Sequence, residues 1–171
     1  SVYRNPRVWS SDKKVEFKPR MGDSALYEHH TTSLVFRDPP DHTRIRKLFQ
    51  AAFTPRPIAN LEPRIEKLVD GYLDKAEDQG HLDLVEDFAF MLPVEVVCDM
   101  LGAPSTERNS IRDWSQAILG GLEPVLTDDA RETGSDAVDH FKSFLRDLIR
   151  QRRANPTSGE SGEVLSALIE A

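Results

Sequence analysis

The densest chemistry in the sequence lies in Asp38-Pro39-Pro40-Asp41-His42-Thr43-Arg44-Ile45-Arg46. Asp38 and the two prolines predict a stiff start to a helix, because a residue before proline is pushed out of the α region. Within that helix His42 and Arg46 stand four apart and share a face. At about 100° per residue, Phe49 and Phe53 follow on the same stripe. One helix then presents two cationic or hydrogen-bonding groups beside an aromatic surface, which suits a large flat apolar ligand carrying acidic groups. By spacing alone, a solvated His and Arg at the edge of a core stripe is the plainer account.

The other reactive residue types form no such pattern. Cys98 sits in Val96-Val97-Cys98-Asp99-Met100, helical in character and without a glycine-rich loop, and reads as a buried structural thiol. As the single cysteine it excludes an internal disulfide and a multi-cysteine metal site. His29-His30 suggests a metal, but no third ligand has useful spacing, so a flexible loop is expected there. His81 and His140 have no partner pattern. No glycine-rich phosphate loop, nucleophile elbow or paired-carboxylate signature is present. No catalytic residue and no metal ligand is assigned.

The elements that must carry these residues read as mostly α. Ile45, Leu48, Phe49, Ala52 and Phe53 keep helical spacing, as do Leu61, Ile65, Leu68, Val69, Tyr72, Leu73 and Ala76. Helices are predicted near 40–53, 61–79, 93–101, 106–119 and 128–153. Pro63 suits a first turn and Gly80 a C-terminal cap. Pro93 splits 84–101 into a lead-in and a helix closed by Gly102. Ser105 is expected to cap the next helix, which breaks at Gly120-Gly121. Thr127 or Asp128 caps the last long helix, with Arg150, Arg152 and Arg153 at the negative end of its dipole. A polar loop over 155–163 precedes another helix from Val164. Val2 to Val8 reads as a short helix, Lys13 to His30 shows no sustained period, and the only hint of a strand is near Leu82.

Composition bounds the partners. With 39% hydrophobic and 30% charged residues in 171, the chain is of globular type and long enough for one core. No run approaches the roughly 20 apolar residues that cross a bilayer. A net charge of −7 argues against a nucleic-acid or anionic-membrane partner. No secretory signal is visible, although the chain starts at Ser1 without a methionine, and the single cysteine fits a reducing cytoplasm.

The stretch from Arg37 through Leu48, continuing to Ala52-Phe53-Thr54-Pro55-Arg56, resembles helix C of bacterial cytochromes P-450 almost residue for residue. Tyr3-Arg4-Asn5-Pro6-Arg7-Val8-Trp9-Ser10-Ser11 is similar to that family's helix B, and Leu61-Glu62-Pro63-Arg64-Ile65 to the start of helix D. Asp83 to Ala89, then Leu92-Pro93-Val94 through Leu101-Gly102-Ala103-Pro104, resembles helix E and the segment leading into it. The resemblance implies one partial domain over 1–171: helix B, the B–C loop, helices C to G and the start of H. The N-terminal sheet, the oxygen-activating helix, the Glu-x-x-Arg motif and the cysteine loop that ligates iron would lie outside it.

By that resemblance His42 and Arg46 would bind the propionates of haem b, and Phe53 and Leu34 would touch the porphyrin. Arg44 and Lys47 would face a ferredoxin-type redox partner, within a segment carrying five cations against two acids. The stretches Met21–Phe36 and 118–126 resemble the two variable regions that contact substrate, a small organic molecule. The parent would be a haem-dependent monooxygenase. Alone, this segment is expected to be inactive, to hold haem weakly or not at all, and to self-associate. The alternative is a non-catalytic helical binding or assembly module derived from the same fold.

Overall fold

Helices account for every regular element in the computed structural model, which describes residues 9–53, 58–155 and 163–170. In chain order they are α1 (Lys14–Met21), α2 (Ala25–Thr32), a 3₁₀ turn (Leu34–Phe36), α3 (Asp41–Ala52) and α4 (Glu62–Gln79). A π-helical turn (Leu84–Ala89), α5 (Met91–Leu101) and a second 3₁₀ turn (Ser105–Glu107) follow, then α6 (Arg108–Gly120), α7 (Asp128–Ala154) and α8 (Glu163–Glu170). Among the described residues there is no strand. The helix expected over Val2 to Val8 lies outside them.

The described residues group into two units: Ser1–Phe49 with Ser110–Asp147, and Gln50–Asn109 with Leu148–Ala171. The core of the first is Phe17, Met21, Leu26, Ile118, Ala137 and Val138, with Trp114 and Phe141 packed against it. Trp114 stacks on His140 at 6.1 Å and meets Phe141 and Phe144 at 6.2 and 6.0 Å. Three rings of α7 thus gather around one indole of α6. Thr127 Oγ1 accepts from the Ala130 amide at 3.2 Å and caps α7.

Two helices stand where no period was visible, and they supply half of that core. In α1, Phe17 and Met21 are buried one turn apart. In α2, the Ser24 hydroxyl accepts from the Tyr27 amide at 3.1 Å, and Leu26, His30 and Thr31 are buried. Each helix has eight residues, too few for a 3.6 repeat to show. Pro19 inside α1 disguises it further. The expectation of a loop at His29-His30 is therefore wrong: both lie in the last turn of α2.

In the second unit, Pro63 sits in the first turn of α4, and Gly80 ends that helix in the left-handed region at φ 70°. Near Leu82, Asp83 is extended, but its carboxylate caps the π-helical turn by accepting from Val85 and Glu86 amides at 2.9 and 3.0 Å. Cys98 is fully buried in α5. Val164 and Leu165 are buried in α8, which packs on α5. Ser105 is not the residue before α6: it opens a 3₁₀ turn, with Pro104 at its N-cap, that leads into α6. A half-buried ion cluster joins the elements: Arg108 pairs with Glu95 and, at 2.7 Å, with Asp99, which lies 3.8 Å from Arg64.

Candidate functional site on helix α3

The start of α3 is built from backbone and from one carboxylate. Asp38 and Pro40 carbonyls accept the His42 and Arg44 amides, each at 3.0 Å, across a cis Pro39–Pro40 bond. The Asp38 side chain points backwards along the chain. It accepts from the Ser10 hydroxyl at 2.5 Å, the Ser11 amide at 2.9 Å and the Asp12 amide at 3.4 Å. These bonds, the Ser10 hydroxyl first, hold its carboxyl below the ordinary carboxylate value, and His42 acts in the same direction.

Along α3, His42 is half-buried and Arg46 exposed, one helical turn apart. Phe49 continues their stripe and is 38% exposed. Phe53, just past the helix end, is 45% exposed. Leu34 lies on a separate element, the first 3₁₀ turn, and is half-buried. The helix therefore joins His42, Arg46 and Phe49 on one face but does not itself carry Leu34 or Phe53.

The cations of this segment divide by partner. Arg37 Nη1 lies 2.9 Å from Asp41, and Arg44 lies 3.8 Å from the same carboxylate. The Arg44 pair is exposed and worth little. Among the described residues, Arg46 and Lys47 have no ion-pair partner. Arg44 and Lys47 fall off the His42–Arg46 stripe by the helical rotation. An exposed guanidinium without a carboxylate, one turn from an imidazole and beside an exposed ring, fits an acidic group on a flat apolar ligand. In that respect the residues present fit a haem, whose propionates His42 and Arg46 would hold.

The spacing exposed this stripe but missed two groups. Asp38 read as a helix start, while its partners lie 26 to 28 residues away. His30 read as a loop residue, yet it is 3% exposed, with Nε2 3.2 Å from the Ile118 carbonyl. No local pattern signals either contact. Among the described residues, no group of three His, Cys, Asp or Glu is placed to hold a metal ion, and no helix is long and apolar enough to cross a membrane.

Comparison with known proteins decides the family. The chain is 34% identical over 182 residues to cytochrome P450 CYP107DY1 of Priestia megaterium, covering all of this chain and 42% of that protein. It is 37% identical over 140 residues to the vitamin D(3) 25-hydroxylase of Pseudonocardia autotrophica, covering 81% of this chain and 32% of that one. The chain belongs to the bacterial cytochrome P450 family. No protein-family model matches it. The crystal structure of CalO2 superposes with a TM-score of 0.85 at 24% identity, over 98% of this chain and 41% of that one. The helices described above are thus the helical portion of a P450 fold. The chain spans about two fifths or less of the curated P450 relatives named here.

Proposed function

We propose that this chain is the propionate-binding and substrate-facing part of a cytoplasmic haem-thiolate monooxygenase. His42 and Arg46 hold the haem propionates, and Phe53 and Leu34 lie against the porphyrin. Haem, when bound, supplies the activation of O2 from which one oxygen atom enters a small organic substrate. This chain's own residues bind and orient: Arg46 and His42 fix the acidic edge, and Phe49 and Phe53 offer apolar surface. Arg44 and Lys47, off that stripe, form the face for an acidic, ferredoxin-type redox partner. The observation that supports this reading is Arg46, exposed on α3 without an ion-pair partner among the described residues, one turn from His42.

The test is haem retention in protein expressed from the full reading frame. Each charge-assisted contact is worth roughly 1.5–3 kcal/mol, so His42→Ala or Arg46→Ala should loosen haem about tenfold or more, and Arg44→Ala should not. Equal loss from all three would sink the assignment. Haemin added to residues 1–171 should bind weakly, without a thiolate-type carbon monoxide spectrum, because two such contacts do not offset the ordering cost.

The second reading, a helical assembly module, draws on α4. Among its 18 residues none is buried, and Leu73 is 50% exposed. Under that reading light scattering finds a stable oligomer, and Leu73→Glu dissociates it.

A further inference from the structure

Away from α3, the most enclosed polar group of the first unit is His30. Its ring stands edge-on to Phe17 and to Phe36, each at 6.0 Å, and Nε2 meets the Ile118 carbonyl at 3.2 Å. That carbonyl lies in the last turn of α6 and also accepts the Gly121 amide at 3.1 Å. A neutral ring suits this box, donating Nε2–H to the carbonyl. A second proton would put a full charge beside two phenyl rings, with no solvent to take it up.

His30 is one of three points at which α1 and α2 hold the turn between α6 and α7. Arg20 Nη2 donates to the carbonyls of Glu123 and, at 3.4 Å, Gly121. Leu26 is fully buried and fills the space that side chains at Gly121 and Gly134 would need: a Cβ on Gly121 would fall 2.7 Å from a Leu26 methyl. The other side of the turn is open, with Leu119 62% and Val125 81% exposed.

We propose that His30 is a proton-operated pin: neutral, it locks the α6–α7 turn onto α2, and protonated, it releases the turn. The charged and titratable groups around it are few. On its own helix stands His29, with ring centroids 5.2 Å apart. From α7 comes Lys142, paired at 3.2 Å with Glu28 of α2. From α1 comes Arg20, engaged on the turn carbonyls. The 3₁₀ turn and α6 present Phe36 and the Ile118 carbonyl. Burial first, then His29, lowers the proton affinity of His30 from its ordinary 6.5, against the pull of the carbonyl. The released state, with the ring in water, therefore binds the proton more tightly than the locked one. Locking is complete above the ordinary value and is lost as pH falls below it towards the locked-state value. This device is independent of the haem reading.

The reporters are the amides of Gly121, Leu122 and Glu123, each bonded within the turn. Their hydrogen exchange, corrected for intrinsic rate, should be measured in the full chain between about pH 7.5 and about pH 5. Protection should fall below the ordinary histidine value, by at most about tenfold per pH unit, the limit for one proton. His29→Gln should keep that slope. His30→Gln, which retains a donor towards Ile118 but cannot titrate, should flatten it. An unchanged slope in His30→Gln, or a flat wild type, overturns the proposal. Should His30→Gln fail to fold, NMR titration of the wild-type His30 ring decides: a midpoint below the ordinary 6.5 supports the pin, and one at or above it overturns it.

Discussion

The Asp38 carboxylate accepts the Ser10 hydroxyl at 2.5 Å, while the carbonyl of the same residue accepts the His42 amide at 3.0 Å. A single residue therefore ties the segment at 10–12 to the helix that carries the candidate ligand face. Its carboxyl is held below 3.8, chiefly by Ser10 and then Ser11. A depressed carboxylate stabilises above its ordinary value and ceases to do so as pH falls through the folded value. The protection of the Ser11 amide, its exchange corrected for the intrinsic rate, should thus hold at neutral pH and fall in acid below pH 3.8. Asp38→Ala should remove that protection at all pH, a result that two-dimensional NMR would read directly.

Arg108 is held by two carboxylates, Glu95 and Asp99, and the three side chains are 20%, 15% and 17% exposed. Removing the cation leaves two half-buried carboxylates on one face of α5, with Arg64, 3.8 Å from Asp99, as a distant counter-charge. Breaking a buried pair from one side costs about 3–5 kcal/mol, and residual exposure lowers that figure. Arg108→Ala should therefore destabilise by about 2–3 kcal/mol in urea unfolding. Arg108→Lys should recover part of the loss, since it restores charge without the bidentate fork.

Leu26 fills the space beside Gly121 and Gly134 and has no exposed surface. Leu26→Ala should cost about 2–5 kcal/mol, the range for a buried leucine leaving a cavity. Gly121→Ala forces the Leu26 methyl aside and should cost about 1–3 kcal/mol. Because the two positions touch, the double variant should cost less than the two single losses added together. Additivity would mean that Leu26 does not occupy the glycine's space.

Cys98 is fully buried, and burial, followed by the charge of Asp99, pushes its thiol up from the ordinary range. The thiolate is the reactive form. A disulfide reagent at neutral pH should leave Cys98 untouched in the native protein and titrate one thiol in denaturant. Fast labelling of the native state would place α5 in an environment other than the one described.

The long helices were legible because helical spacing is a local property: α3, α4, α5, α6 and α7 each carry enough turns for their apolar positions to repeat. Their ends were legible for the same reason, as Gly80 and Gly102 supply the left-handed residue that stops a helix. The stripe of His42, Arg46 and Phe49 follows from residue types four and seven apart. What the sequence by itself determined is this set of elements and the face of α3. The rest lay in contacts with no local signature. The eight residues of α2 become a helix partly because Ser24 caps them and partly because Leu26 and His30 find burial against residues some 88 positions away. Asp38 turns from a helix start into a clasp only when Ser10 is brought to it. Chain proximity created by packing, not any period in the residues, set these contacts, so only the tertiary structure could decide them.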